Sequence, residues 1–553
     1  MKKTIALLIA VFSSVMMMAQ PAPVKKAAGS VFTLSTFDKD GSLKGSTHGF
    51  FIGADGVGIS SWTPFVNAAS AVIVDAEGNK HDVQTVIGAN ELYDICKFRI
   101  AAKTVPLKPA AAAATKGAKM WAVSFSDKKP LINSLELARS EKFMDKYAYY
   151  IFEGKAPENM DGCPVVNDKG LLLGMLQSSQ DGAESHATDV SFADSIQTNG
   201  LSLTDQLLRQ TGLRVDMPRD KEQATLLLMM TSEQGDSVKR MKYAEDFINI
   251  YPDATDGYVA KAQMLISRGD YDGASGIMQT AMSKASDKAN AHAEWARLMY
   301  QKLAYTADST FTKWTYDDAL AEAQKAYSID PQPVYKHREA QIVYSKGDYA
   351  KAYDMFIGLT TTSLRNAELF YEAAQCKTQQ KADNGEVIAL LDSAISVCPK
   401  PLNSVAAPYV LARGRFLDEV GEYRKALHDY NVYDTLMVGR ADDAFYYTRY
   451  QCEMKVRQYQ QALNDIAHAA VINPRQALYF AELASLQLRV NRFEDAVKAA
   501  DLCLRIAPEN SDSYIIKGLA LMQLKKKDEG LQALQKAKEL GDERADEFIK
   551  KYK

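Results

Sequence analysis

Cysteine is scarce, with six residues in a chain of 553. That is far too few for a disulfide scaffold, and no Cys-x-x-Cys pair occurs among them, so no metal site is expected. Charge of one sign is lacking too. Lys and Arg total 66 against 69 Asp and Glu, a formal net charge of −3, and there is no long basic run. Phosphate binding needs a clustered positive field, so nucleic acid is excluded as the main partner. Past the N-terminal segment no stretch reaches the ~18 uninterrupted apolar residues of a spanning helix, so the mature chain is expected to carry no transmembrane segment. Hydrophobic residues make up 47% and charged residues 24%, which is globular composition and excludes a mostly disordered chain. At about 100–200 residues per domain the length predicts two to five domains, or one domain and a repeat array.

The N-terminus reads as an export signal. Lys2 and Lys3 form a positive start, residues 5–18 are apolar but for Ser13 and Ser14, and Ala19-Gln20 is a cleavage point. Residues 1–19 are therefore expected to be a signal peptide, and the mature protein periplasmic or secreted. No Cys lies near the cleavage point to accept a lipid anchor. Residues 20–29 (QPAPVKKAAG) are expected to be a flexible lead-in.

Residues 30–203 are β-rich. β-branched and aromatic runs lie at 30–37, 48–53, 70–75, 82–88, 94–100, 119–125 and 170–178. Turn signals such as D-K-D-G and A-E-G-N separate them, and many short strands at close spacing suggest a barrel or sandwich.

The order of these segments resembles the trypsin-like, double-barrel serine peptidases of the HtrA type. THGFFIGADGVGISSWTPFVNAASAVIV (47–74) resembles the strand, turn and strand that end in that family's catalytic His. DICKFRI (94–100) resembles its Asp-led strand, and NMDGCPVVNDKGLLLGML (159–176) its nucleophile loop with the two strands that follow. The resemblance covers about 170 residues and implies an all-β double barrel with a cleft between its lobes.

The triad implied by the resemblance is degenerate. Thr63 stands at the His position, Asp161 at the nucleophile position, and only Asp94 is kept. An imidazole near neutral pKa is needed to take the nucleophile's proton and return it. Thr63 cannot do this, and an ionised Asp161 is a poor acyl-transfer nucleophile whose charge opposes a developing oxyanion. Cys163 replaces the motif's second Gly, and Asn159 its first. Other readings stay open: Asp94 and Asp161 as a carboxylate pair, His48, His81 or His186 as a substitute base, and Cys163 as a displaced nucleophile. The bland counterparts are turn carboxylates, surface histidines and a small packed thiol.

Residues 204–219 (TDQLLRQTGLRVDMPR) are expected to form a linker helix stopped by Gly212, with a break at Pro218. From 220 to 553 apolar residues recur at helical spacing. GDYDGA (269–274), GDYAKA (347–352), GEYRKA (421–426), RQYQQA (457–462) and NRFEDA (491–496) mark the turns. From Ala462 to Ala496, and from Pro474 to Pro508, is 34 residues. A sustained period of paired helices resembles the tetratricopeptide repeat, with about eight repeats stacked into an all-α superhelix. Small residues at Ala262, Ala340, Gly414, Ala484 and Gly518 let helices approach closely. The surplus at 302–314 is expected to be a longer loop.

The repeat register places Gln263, His337, Gln341, Tyr344, Arg415, Tyr447, Gln451 and Arg489 on the concave face, where they suit a protein or peptide partner; ordinary solvated positions are the bland alternative. Cys376 and Cys398 are expected at opposite ends of one hairpin, beyond the ~7 Å Cα limit for a bridge. No cofactor is expected. The expected function is an exported, non-catalytic binding or scaffold protein. The alternatives are a trypsin-fold peptidase or other hydrolase with non-standard catalytic residues, and an architectural subunit of a cell-envelope complex.

Overall fold

The computed structural model describes residues 20–126, 128–178, 184–233, 235–306 and 310–552. The expected signal peptide over 1–19 lies outside the described residues. Two compact units divide the chain, Met1–Ala291 and His292–Lys553.

The first unit holds two closed antiparallel barrels. Strands β1 (Val31–Phe37), β2 (Leu43–Phe51), β3 (Val57–Ser60), β4 (Ser70–Asp75), β5 (Lys80–Asn90) and β6 (Ile95–Ile100) pair in the order β5-β4-β1-β2-β3-β6, and β5–β6 pairing closes the ring. Strands β7 (Lys119–Ser126), β8 (Lys129–Phe143), β9 (Tyr147–Phe152), β10 (Pro164–Val166), β11 (Leu172–Ser178) and β12 (Ser185–Asp189) close in the order β10-β11-β12-β9-β8-β7. Closure leaves no exposed ladder edge on either ring. The two barrels share one apolar cluster, in which Phe50 and Ile59 of the first meet Trp121, Val123 and Met175 of the second. This is the double-barrel architecture implied by the trypsin-like resemblance.

Two segments differ from expectation. The supposed lead-in is ordered: α1 (Ala22–Ala27) starts behind Pro21 with Pro23 in its first turn, where a missing N–H costs nothing. Its Val24 is fully buried in the cluster between the barrels. A short apolar stripe, Val24, Ala27 and Ala28, gives the segment a reason to dock.

The expected linker helix over 204–219 is absent. The chain makes only a 3-10 turn at Leu208–Gln210 and then β13 (Arg214–Val215), which pairs parallel to β5. Leu208, Leu213, Val215 and Met217 enter the first barrel's core. The competing forces favour this: alternate apolar residues of LRVDM fill the barrel mouth, while Asp216 behind them accepts from Thr85 Oγ1 at 2.6 Å and Arg99 Nε at 3.2 Å.

The same core runs on into the first helices. After α2 (Lys221–Met230) and α3 (Ser237–Ile250) come α4 (Thr255–Ser267) and α5 (Tyr271–Lys284). Leu227, Tyr243, Phe247 and Ala254 join the cluster that contains Phe32 and Phe98. The compact boundary therefore falls at 291, beyond the change from strand to helix at 220.

The remaining elements are α6 (Lys288–Tyr305), α7 (Tyr316–Ile329), α8 (Pro333–Ser345), α9 (Tyr349–Leu359), α10 (Ala367–Gln379), α11 (Asn384–Ser396), α12 (Ala407–Glu419), α13 (Tyr423–Met437), α14 (Asp443–Lys455), α15 (Tyr459–Ile472), α16 (Ala477–Arg489), α17 (Phe493–Ile506), α18 (Ser511–Gln523), α19 (Lys527–Glu539) and α20 (Arg544–Tyr552). Among the described residues, α4/α5, α8/α9, α10/α11, α12/α13, α14/α15, α16/α17 and α18/α19 pack as successive hairpins. The surplus near 302–314 is partly helix: α6 runs 18 residues where α8 runs 13.

The turn motifs have a physical basis. Seven of the described hairpin turns carry one left-handed residue shortly before the second helix, Lys381 (φ 53°) among them. Gly269, Gly347 and Gly421 supply it, whereas Arg457, Asn491 and Lys525 are forced into φ of 62°, 64° and 62°. Asp270 and Asp348 then cap the second helix through the N–H groups of Gly273 and Lys351. The small residues meet close neighbours: a Cβ on Gly518 would lie 2.7 Å from Leu534 Cγ. All six cysteines are buried and free.

Candidate functional site

An open cleft of about 470 Å³ lies between the barrels, lined by Ser46, Thr47, His48, Thr63, Asp94, Asn159 and Asp161 among others. The three degenerate triad positions are thus brought together. β2 brings Ser46–His48, the 3-10 turn Thr63–Phe65 after β3 brings Thr63, the turn before β6 brings Asp94, and the loop before β10 brings Asn159 and Asp161.

Thr63 is locked onto Asp94. Its backbone N–H donates to Asp94 Oδ1 at 2.7 Å and its hydroxyl donates to the same oxygen at 2.8 Å. Asp94 itself has φ of 44°, a left-handed conformation unusual for a side chain with a Cβ. Two main-chain bonds hold it: its N–H reaches Glu91 O at 3.3 Å, and Trp62 N–H reaches its carbonyl at 3.2 Å. The carboxylate that would orient an imidazole is spent on a hydroxyl and an amide.

The Asp161 turn is fixed by main-chain bonds. The His48 N–H and the Thr47 hydroxyl each donate to Asp161 O at 3.2 Å, and Gly162 N–H donates to Leu176 O at 2.9 Å. Gly162 has φ of 81°, and a Cβ there would sit 2.2 Å from His48 O, so only glycine fits. The loop keeps its tight shape although its nucleophile is a carboxylate.

His48 is the one histidine of the three candidates that lines the cleft. Burial holds its ring below the usual histidine range, opposed by the charge of Asp161, so the ring is neutral at physiological pH. Ser60 on β3 donates its hydroxyl to His48's backbone carbonyl at 2.6 Å. His81 instead pairs with Asp75 at 3.3 Å, and His186 packs at a tilt against Tyr149 with centroids 5.3 Å apart.

Cys163 is fully buried, and burial raises its thiol to about 12. At neutral pH it holds its proton and is inert as a nucleophile. Thr47 and Ser46 were missed from sequence. No signal in the sequence set these two apart: Gly49 marks only the close approach of β2 to β3 and β1 of its own barrel, where a Cβ would lie 2.4 Å from Ile59 O and from the Phe32 ring.

Of the proposed groove residues, Gln263 belongs to the first unit and the other seven to the second. His337 Nε2 lies 2.5 Å from Glu372 Oε2, and Gln341 Nε2 donates to Glu372 Oε1 at 2.7 Å, so the two residues bridge α8 to α10. Tyr344 packs edge-on against Tyr349. Tyr447 lies between Tyr450 and Tyr479 at 5.8 and 5.3 Å, and Gln451 bonds its hydroxyl. Arg489 sits over the Tyr459 ring at 5.2 Å. Arg415 and Gln263 are exposed, and Arg415 lines a cavity.

No protein-family model matches the chain. Among solved structures it is similar to the Rv3671c protease of M. tuberculosis in its active form, at 12% identity and TM-score 0.28, over 32% of this chain and 82% of that one. The inactive form of that protease gives 13% identity and TM-score 0.27, over 33% and 92%. An HtrA-type protease with a tripeptide gives 14% identity and TM-score 0.28, over 31% and 60%. The double barrel is read from the strand pairings.

Proposed function

We propose that the protein is an exported, non-catalytic binding or scaffold protein, in which a peptidase-like barrel pair is joined to a repeat array that holds a protein partner. The observation that carries this reading is the Thr63–Asp94 lock. With both donors of Thr63 on Asp94 Oδ1 at 2.7 and 2.8 Å, the imidazole's place beside Asp94 is taken by a threonine, which cannot take and return a proton near neutral pH. Losing one triad member costs about four to six orders of magnitude in rate. The Asp161 carboxylate adds a charge where an oxyanion would form, which opposes hydrolysis further. What remains of the cleft is a polar groove able to hold an extended segment, and the repeat region offers a second, separate surface. Two surfaces on one chain raise avidity for a partner that spans both.

The test uses the purified full chain. Unfolded casein incubated with it at micromolar concentration remains intact over hours, and tagged protein recovered from its native envelope retains a partner. Casein cleavage that disappears in Asp161→Ala or Asp94→Ala would reject the reading in favour of a hydrolase.

A further inference from the structure

The cleft between the barrels carries charge of one sign. Of the nine described residues that line it, Asp94 and Asp161 are acidic and none is Lys or Arg. Its volume of about 470 Å³ lies inside the ~300–1,000 Å³ range of ligand clefts.

Two further polar groups face this space. β2 and β3 pair with Gly49 opposite Ser60, so one step on His48 stands opposite Ser61, and both side chains line the cleft. Ser61 is only 7% exposed, yet among the described residues its hydroxyl makes no hydrogen bond. A polar group so deeply buried and unmatched within the protein points to a ligand. The His48 ring, kept neutral by burial, retains a nitrogen lone pair to which no described residue donates. On Asp94, Oδ1 takes both Thr63 donors, while Oδ2 accepts from no described residue. The recess therefore offers acceptors and negative charge together.

That combination selects a cation able to donate hydrogen bonds. Among the described residues no three of His, Cys, Asp and Glu come together to hold a metal ion. A guanidinium donates in one plane and gains from an aromatic face, but no Phe, Tyr or Trp lines this cleft. A primary ammonium is a compact charge with three rotatable donors. The acceptors come from β2, the end of β3, the turn before β6 and the loop before β10, which suits a point charge better than a flat one.

We propose that the cleft binds a primary ammonium group, a lysine side chain or the α-amine of a chain start, with Asp94 and Asp161 supplying the charge and Ser61 and His48 accepting its hydrogen bonds. This rests on the reading of the cleft as a groove for an extended segment and specifies what enters it. The carboxylate at position 161, which opposes an oxyanion, favours a cation in the same place.

Fluorescence anisotropy with the full-length protein tests it. The probes are C-terminally labelled ten-residue Gly/Ser peptides. Three are N-acetylated and carry a central Lys, acetyl-lysine or Arg; the fourth has a free N-terminus and no Lys. The Lys peptide, the free-N-terminus peptide or both are expected to bind about tenfold or more tighter than the acetyl-lysine control, and tighter than the Arg peptide. Which of the two binds identifies the source of the ammonium. Asp161→Asn is expected to weaken that binding about tenfold and Ser61→Ala about threefold, with circular dichroism unchanged. If one variant fails to fold, the other carries the test. Lys, Arg and acetyl-lysine bound alike, or an ammonium preference untouched by the folded variants, would overturn the ammonium site and leave the groove reading standing. No binding by any probe would overturn the site and count against that reading as well.

Discussion

Glu453 offers a sharp test of how the repeats are packed. It lies eleven residues into α14, where α12 and α18 carry Leu417 and Leu521, both buried. Its residue is 4% exposed, and its Oε2 has no hydrogen-bond partner. Burial first, and the charge of Asp465 second, raise its carboxyl from the ordinary 4.5 to about 8, against the pull of Arg449. The sign follows from proton binding. Below about pH 4.5 folded and unfolded chains both hold the proton, and the group costs nothing. Between 4.5 and about 8 only the unfolded chain ionises, so stability falls as pH rises. At about 1.4 kcal/mol per unit, the 2.5 units from 4.5 to pH 7 bound the cost at about 3 kcal/mol. Residual access to water reduces this to about 2 kcal/mol. Glu453→Leu is therefore expected to stabilise the second unit by about 2 kcal/mol at pH 7, more at pH 8 and progressively less toward pH 5. Urea unfolding followed by circular dichroism, with hydrogen exchange of the α14 amides to localise the effect, measures it at the three pH values. A gain that does not change with pH, or a loss at pH 8, would refute the reasoning.

Three further outcomes follow from the packing. Arg449→Leu strands the buried Asp465 and is expected to cost about 3–5 kcal/mol, whereas Arg449→Leu with Asp465→Ala, the pair found as Leu483 and Ala499 one repeat later, recovers most of it; urea midpoints compare them. Arg457→Gly relieves a left-handed residue at φ 62° and is expected to stabilise by about 1 kcal/mol, read from the same unfolding curves. Gly162→Ala forces the turn away from His48 O and is expected to lower the melting temperature of the barrel unit by several degrees in calorimetry, with the repeat transition unmoved.

The fold was legible where one periodicity dominated. The seven apolar runs fall on strands, and the 34-residue spacing of Ala462 to Ala496 falls on hairpins, because both reflect burial on one face. Strands β8 and β9 escaped notice: β8 alternates Leu and Ile with Lys, Glu and Arg, a surface ribbon whose pattern resembles a polar loop. QPAPVKKAAG and LRVDMPR misled for a different reason. Their few apolar residues carry no local period, and only the barrel mouths they fill give Val24 and Met217 a place. In the cleft, Thr63, Asp94 and Asp161 were found through the resemblance to the HtrA-type order of segments. The lock between the first two was not, since a hydroxyl and a carboxylate 31 residues apart announce no bond until β3 and β6 pair.

The central claim is that this cleft performs no acyl transfer. Intact-mass spectrometry of the full chain after prolonged exposure to a fluorophosphonate probe tests it most directly. The account predicts an unmodified mass, because Thr63 donates to Asp94 at 2.8 Å and Cys163 holds its proton up to about 12. A stoichiometric adduct on any residue lining the cleft, lost in Asp94→Ala, would contradict it.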